Sequence, residues 1–326
     1  MWWRKKETDG YMDAFNAAIK VAAEDARDGC TSDSKSPMKL TGDEWKVLQK
    51  RRDEATAQAL QPVKQKFHVS VQQEKIAGVR VYRVKPQAIA PENRNRLLVH
   101  LHGGGYVFDS GEAGAFEAVL MANFGKIEVV SVDYRIPPDF PFPAALDDAL
   151  AVWKEIASSR DTKNLGLLGT SAGGGMTLAL VLKLKELKMS LPGAIMAGAP
   201  WSDMTKTGDT FYTNKMVDNA LGSTDELLDA AAKVYAGEHD LKEPLLSPVY
   251  GDLGGFPPTI LLSGTHDIML SNTVRVHQKL MQAGSEAELL VFEAQSHGQY
   301  IWTPNTPETA AAWNEVSKFF DRHLGR

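Results

Sequence analysis

The stretch Leu165-Gly-Leu-Leu-Gly-Thr-Ser171-Ala-Gly-Gly-Gly175 decides the fold of this chain. Its first half is apolar and typical of a buried strand, and its second half opens a helix-length segment. Between the two halves stands a Gly-x-Ser-x-Gly pattern centred on Ser171. In that context the pattern is typical of a sharp, strained turn that exposes the serine hydroxyl as a nucleophile. The N-terminus of the following helix would stabilise an oxyanion formed when the serine hydroxyl attacks a carbonyl carbon.

Short apolar runs alternate with helix-length segments on both sides of this turn. We expect strands at 97–99, 127–132, 165–168, 194–196, 260–262 and 289–292, and helices at 112–124, 144–158, 174–188, 269–283 and 307–323. This alternation predicts an α/β fold with a mostly parallel central sheet and helices on both faces. The alternating segments 68–71 and 79–84 predict an antiparallel hairpin that leads into the sheet.

Two segments interrupt this alternation and are predicted to form one helical cap over the carboxyl edge of the sheet. The first is 1–60, in which Thr41-Gly-Asp-Glu44 has the form of a capping box and begins a helix that should end near residue 60. The second is the insertion 201–246. The predicted catalytic core is therefore 61–200 together with 247–326, and its site should lie under the cap, where open α/β sheets bind ligands.

A run of glycines upstream of the serine supplies candidate amide donors. His102-Gly-Gly-Gly105 directly follows the first predicted central strand. Acyl transfer needs N–H groups aimed at the developing oxyanion, and glycines expose their N–H groups without side-chain interference. The run also precedes Ser171 in the chain order that this chemistry requires.

A nucleophilic serine also needs a base, and the base needs an acid that orients it. In this arrangement the acid and then the base follow the serine along the chain. His297 follows the last predicted strand in a turn of small residues and is the candidate base. Asp267 ends the preceding strand and is the preferred acid, and Glu293 is its rival because it lies shortly before the histidine. The sequence therefore predicts that Ser171, Asp267 and His297 are catalytic.

Several motifs occur together in a fixed order: His102-Gly-Gly-Gly105, Asp133-Tyr-Arg135, Pro141-Phe-Pro-Ala-Ala145 with Asp147, Gly169-Thr-Ser-Ala-Gly-Gly174, Asp267 and His297. With them, residues 60–326 resemble the bacterial hormone-sensitive-lipase-like esterases of the α/β-hydrolase superfamily. The resemblance implies metal-free hydrolysis of carboxylic esters with short to medium acyl chains. The ordered triad itself predicts that the reaction passes through an acyl-enzyme intermediate. It also implies an oxyanion hole formed by the amides of Gly104, Gly105 and Ala172, and a structural role for Asp133-Tyr-Arg135.

Two positions depart from the common pattern of that family. Many members have aspartate directly before the nucleophile, whereas this chain has Thr170. The threonine matches the subgroup with a Gly-Thr-Ser-Ala-Gly motif. The acid is followed by Ile268 and Met269 instead of the frequent Pro-Leu pair. Two other functions stay open, a lactone or amide hydrolase with the same triad and a non-catalytic receptor on this fold. The receptor is disfavoured because the plant hormone receptors similar to these esterases lack the catalytic histidine, which is present here.

Aromatic residues of the predicted cap and of the site's rim are the candidates for the substrate pocket. Trp201 directly follows a strand and is expected on the acyl side. Because the cap contains few helices, we expect a preference for short acyl chains. The predicted substrate-binding residues are Tyr106, Trp201, Phe211, Tyr212 and Phe15, and Trp2, Trp3, Tyr11 and Met216 could add apolar surface.

Composition limits the partners of this 326-residue chain. Its net charge of −5 argues against nucleic acid as a partner, because phosphate binding needs a clustered basic surface. The single cysteine, Cys30, excludes an intrachain disulfide. No apolar run is long enough for a membrane span, and the N-terminus lacks the pattern of a secretory signal. We therefore expect a cytoplasmic enzyme that needs no cofactor or metal and acts on a small-molecule ester; a homodimer is left open.

Overall fold

The apolar runs form one mixed sheet in the computed structural model, which describes residues 39–222 and 225–325. The strands are β1 (Ser70–Ile76), β2 (Val79–Lys85), β3 (Leu97–Leu101), β4 (Val129–Val132), β5 (Leu165–Thr170), β6 (Ala194–Gly198), β7 (Thr259–Gly264) and β8 (Ala287–Phe292). Their order across the sheet is β1-β2-β4-β3-β5-β6-β7-β8. β1 and β2 form the predicted antiparallel hairpin, β2 is antiparallel to β4, and the pairs from β4 onward are parallel. The predicted α/β fold is confirmed.

Helices connect the parallel strands, close to the predicted positions. In the described part of the chain they are α1 (Gly42–Phe67), α2 (Phe116–Gly125), α3 (Ala144–Ser158), α4 (Ala172–Glu186), α5 (Thr210–Thr213), α6 (Asp225–Ala236), α7 (Leu270–Gln282), α8 (Gln299–Trp302) and α9 (Pro307–His323). Successive residues of β3 show that both faces of the sheet are covered. Leu97 and Val99 belong to one apolar core, whereas Leu98 belongs to the other. The central strands are therefore buried throughout and mostly apolar, and they do not show a regular alternation of apolar and polar residues.

Helix α1 begins as predicted but continues past the expected end. Thr41 and Glu44 form the complete capping box, each accepting a backbone N–H of the other. The expected end near residue 60 is wrong, because the helix continues through Pro62 to Phe67. Burial of Leu60 and Val63 against the core stabilises this extra length, and it extends beyond the predicted boundary of the cap.

The predicted cap segments are only partly described. Residues 1–38, with the predicted site residue Phe15, lie outside the described residues. The described residues of the insertion 201–246 include α5 and α6. The division into core and cap stays a prediction, although α1 and α6 both contribute residues to the cavity described below. No helix within the described ranges combines the length and the apolar character needed to cross a bilayer.

Candidate active site

Ser171 lies at the apex of the turn between β5 and α4. Its φ of 62° and ψ of −122° are a conformation that non-glycine residues rarely adopt, and such strain is common at functional sites. The Ser171 amide donates to Gly198 O at 2.9 Å and thereby holds the turn against β6. Close packing of the turn against β3 requires glycine, since a Cβ on Gly173 would lie 1.9 Å from Leu101 O. The turn therefore holds the serine side chain, which is half-buried, above the end of the sheet.

His297 and Asp267 lie on the loops that follow β8 and β7. Nδ1 of His297 is 2.9 Å from Oδ1 of Asp267. Because an ionised carboxylate only accepts, Nδ1 carries the proton and Nε2 is left as an acceptor. Nε2 is buried and has no hydrogen-bond partner among the described residues. Asp267 is fully buried and also accepts from Ser263 Oγ at 2.9 Å and Met269 N at 2.7 Å, whereas the rival Glu293 is exposed.

The electrostatic environment of His297 increases its affinity for a proton. Burial by itself lowers the pKa of His297, but the charge and hydrogen bond of Asp267 outweigh it, with a further contribution from the charge of Asp218. The net result is that the pKa of His297 is raised above its ordinary value. A base with this environment is suited to accept a proton from a neighbouring hydroxyl near neutral pH.

The glycine run forms a tight turn beside Ser171. Gly104 has a φ of 87°, and a Cβ there would lie 2.5 Å from Phe108 O. A Cβ on Gly103 would be 3.6 Å from the Cβ of Ser171, so the run passes close to this serine. No described acceptor is paired with the backbone amides of Gly104, Gly105 or Ala172. These amides can therefore donate to an oxygen that enters between the glycine run and the serine.

Buried polar contacts fix the glycine run from behind. Tyr134 stacks on the His102 ring at a centroid distance of 3.9 Å, and its hydroxyl donates to His102 O at 2.7 Å. Asp133 accepts from Gly111 N at 2.9 Å. The Asp133-Tyr-Arg135 segment therefore contacts the loop that carries the glycine run. A second brace comes from α1, where Arg52 and Thr56 donate to Asp109 Oδ1, each at 3.2 Å.

A buried carboxylate that sequence reasoning missed holds Thr170, the residue before Ser171. Glu117 on α2 accepts from Thr170 N at 3.1 Å and from Thr170 Oγ1 at 2.6 Å. It also lies 3.1 Å from Nε2 of His100, while Tyr300 OH is 3.0 Å from Thr170 Oγ1. One signal was available, because Glu117 is the only charged residue in the apolar segment 116–122. Thr170 is thus held by a carboxylate from another helix.

One cavity of about 100 Å³ joins these groups. Ser171, His297 and the three glycines of the run open onto it, and Asp267 supports the histidine from behind. The wall is mostly apolar, with a few polar groups near Ser171 and His297, as is common for small-molecule sites. The other side chains at the wall include Arg52, Phe108, Phe116, Leu221, Leu227, Leu228, Ile301 and Trp302.

Four aromatic residues predicted for the pocket lie elsewhere. Tyr106 is buried, and its ring stacks on Tyr235 of α6 at a centroid distance of 3.9 Å. Its φ of 65° belongs to the tight turn of the glycine run. Trp201 and Phe211 are also buried in the core, and Tyr212 is 72% exposed on the outer surface. None of the four belongs to the described wall of the cavity, because three of the rings pack in the apolar core and Tyr212 lies on the outer surface.

The described residues offer one group of possible metal ligands. Glu286, Glu288 and His323 have ligand atoms within 4.8 Å of one another. None of these residues belongs to the wall of the cavity beside Ser171. Glu288 also pairs with Arg322 at 2.5 Å, and exposed acidic groups of this kind are common without an ion.

Comparisons with known proteins agree with this geometry. Residues 98–301 match a family model described as the alpha/beta hydrolase fold. The chain belongs to this family. An esterase of Acinetobacter venetianus is 28% identical over 254 residues, which are 77% of this chain and 82% of the relative. An acetyl-hydrolase of Streptomyces hygroscopicus is 29% identical over 231 residues, 71% of this chain and 77% of the relative.

Solved structures of this α/β-hydrolase family extend the similarity to nearly the whole chain. The crystal structure of one esterase superposes with a TM-score of 0.86 at 38% identity and covers 99% of both chains. A bacterial hormone-sensitive-lipase-family esterase gives a TM-score of 0.80 at 25% identity, covering 98% of this chain and 100% of that one. The predicted family and activity are therefore confirmed, and this α/β hydrolase is a carboxylic ester hydrolase.

Proposed function

We propose that this enzyme hydrolyses short-chain carboxylic esters with Ser171 as nucleophile, His297 as base and Asp267 as the orienting acid. The observation that carries the proposal is the environment of His297. Its Nδ1 is held by a buried carboxylate, its Nε2 has no hydrogen-bond partner among the described residues, and the histidine lines the same cavity as Ser171. A histidine held in this way can take a proton from the serine and return it to a leaving group.

The proposed reaction has two steps, acylation of the serine and hydrolysis of the acyl-enzyme. Ser171 Oγ bonds to the ester carbonyl carbon while its proton passes to Nε2 of His297. The carbonyl oxygen becomes negative and accepts hydrogen bonds from the amides of Gly104, Gly105 and Ala172. The alcohol leaves with the proton from His297. Water next repeats the sequence on the acyl-enzyme, which releases the acid and restores the serine.

The size of the cavity supports a short acyl group. A volume of about 100 Å³ within the described residues suits a small apolar group, and the ring centroids of Phe116 and Trp302 at the wall lie 5.6 Å apart. The acetyl-hydrolase among the relatives fits the same substrate class. A long fatty acyl chain would have to displace packed side chains, which is energetically costly.

The proposal extends to partners and location. We place the enzyme in the cytoplasm with a small-molecule ester as its substrate, without a nucleic-acid partner. The net charge of −5 supports the exclusion of nucleic acid. Sedimentation analysis of the full chain would determine whether it forms the homodimer that the sequence leaves open.

Replacement of the nucleophile tests the proposal. We expect Ser171→Ala to remain folded and to hydrolyse p-nitrophenyl butyrate at least about 10³-fold more slowly than wild type, because no acyl-enzyme can form. Wild type should hydrolyse the butyryl ester faster than the palmitoyl ester. Circular dichroism on both proteins is the control for folding. Retention of a large fraction of turnover by Ser171→Ala, or faster hydrolysis of the palmitoyl ester, would refute the corresponding part of the proposal.

A further inference from the structure

Asp218 is a buried carboxylate in the loop between α5 and α6 that contacts both catalytic loops. Its Oδ1 accepts from the amides of Ala220 at 2.8 Å and Leu221 at 3.1 Å, within its own loop. Its Oδ2 accepts from Ile268 N at 2.9 Å, directly after the proposed acid. His297 N, the amide of the proposed base, lies 3.4 Å from Oδ1. One side chain of the insertion therefore receives N–H groups from three loops.

The neighbours of Asp218 in the sequence strengthen the same connection. Nδ2 of Asn214 donates to the carbonyl oxygens of Thr265 and Asp267, each at 3.0 Å. Asn219 N donates to Ser296 Oγ at 3.0 Å, one residue before the histidine. The loop 214–222 is thus tied at several points to the loops that carry the acid and the base.

The charge of Asp218 also acts on the catalytic pair. The titratable groups that act on it most strongly are Asp267, after β7, and His297, after β8. Burial raises the pKa of Asp218 and the charge of Asp267 raises it further, while His297 lowers it. Reciprocally, the negative charge of Asp218 contributes to the raised pKa of His297. An imidazolium formed during catalysis would thus face two carboxylates.

We propose that Asp218 is a positioning residue of the esterase reaction, which fixes the backbone of the acid and base loops from the insertion and adds a second negative charge beside His297. This inference rests on the proposed triad and extends it to a residue far from the motifs. The role differs from simple stabilisation of the insertion, because it predicts changes in turnover and in pH dependence. Small displacements of catalytic groups by distant mutations can cost about 10²-fold in rate.

The variant Asp218→Asn distinguishes the positioning role from simple stabilisation of the insertion. The amide oxygen can occupy the Oδ1 position and keep the hydrogen bonds from Ala220 and Leu221, so the loop retains its own turn. The amide NH₂ would then face the N–H of Ile268, which removes the tie to the acid loop. The negative charge beside His297 is lost as well.

Asp203→Asn is the matched control. Asp203 is also fully buried and belongs to the same insertion, but its carboxylate pairs with Thr205, Tyr250 and Arg275. Substitution there should lower stability without moving the catalytic loops. Both variants are compared with wild type by thermal unfolding and by kinetics on p-nitrophenyl butyrate across a range of pH.

We expect Asp218→Asn to lower kcat by roughly 10- to 100-fold with KM changed by less than about threefold. The acid limb of its kcat/KM profile should shift to lower pH, because one negative charge that raises the pKa of His297 is gone. Asp203→Asn should keep the kcat and the acid limb of wild type. A kcat and an acid limb for Asp218→Asn equal to those of this control would overturn the inference.

A second variant covers the case in which Asp218→Asn does not fold. Asn214→Ala removes the side-chain donor to Asp267 O without leaving a buried charge unpaired, and it should lower kcat about tenfold with KM little changed. Wild-type kcat for Asn214→Ala would then count against a positioning role of the loop. The proposed function fails on a different result, namely an active Ser171→Ala enzyme.

Discussion

Replacement of the proposed acid by its amide gives the most quantitative test of the site. In Asp267→Asn, the amide oxygen can take the place of Oδ1, which accepts from Met269 N and from His297. The NH₂ group then faces Ser263, whose hydroxyl can turn to accept. The histidine thus keeps its tautomer and its orientation, and the main loss is the negative charge that stabilises the imidazolium.

The size of that loss follows from the geometry. With Nδ1 and Oδ1 separated by 2.9 Å, the centres of the two charges lie about 4 Å apart, and their interaction is about 4 kcal/mol at an effective dielectric constant of about 20. This corresponds to roughly 10³-fold in kcat. The equivalent change in a serine protease costs about 10⁴-fold, because there the wrong tautomer is imposed as well. We therefore expect a loss closer to 10³-fold here.

The assay is steady-state hydrolysis of p-nitrophenyl butyrate by the two purified variants Asp267→Asn and Glu293→Gln. Glu293 is exposed, so its substitution should change kcat by less than about twofold. Thermal unfolding shows that any loss is not due to misfolding. If Asp267→Asn loses less than tenfold, or if Glu293→Gln is the impaired enzyme, the proposed acid is wrong.

Two further predictions concern pH. The charges of Asp267 and Asp218 raise the pKa of His297 against the effect of burial. The acid limb of the kcat/KM profile should therefore lie above the ordinary imidazole pKa of about 6.5. An acid limb below pH 6 in pH–rate measurements would contradict this. Burial and the charge of Asp109 raise the pKa of Asp53 to about 7. The protonated side chain therefore contributes folding stability that is fully present below the pKa of Asp53 in the unfolded chain, about 4, and is lost as pH rises through 7. Asp53→Asn should therefore melt above wild type at pH 8 and lose this advantage towards pH 4; calorimetry that finds the same difference at both values would refute the argument.

The sequence by itself determined those features that depend on local pattern and chain order. The alternation of apolar runs with helix-length segments predicted the mostly parallel sheet, since burial on both faces makes central strands apolar throughout. The glycines around Ser171 predicted the strained turn, because close backbone packing permits no side chain there. The order of residues along the chain then predicted Asp267 as the acid and His297 as the base, and their direct hydrogen bond supports that prediction.

The tertiary structure alone decided which side chains meet at the site. Glu117 contacts Thr170 from 53 positions away in the sequence, and Asp218 meets His297 N from 79 positions away. No periodicity reports such contacts, because they depend on the packing of separate elements. The same reason explains why the aromatic residues predicted for the pocket lie outside the described wall of the cavity. Whether Tyr106 lines a cavity or packs on Tyr235 is decided by the turn that carries it and by the ring it meets, and residue type specifies neither.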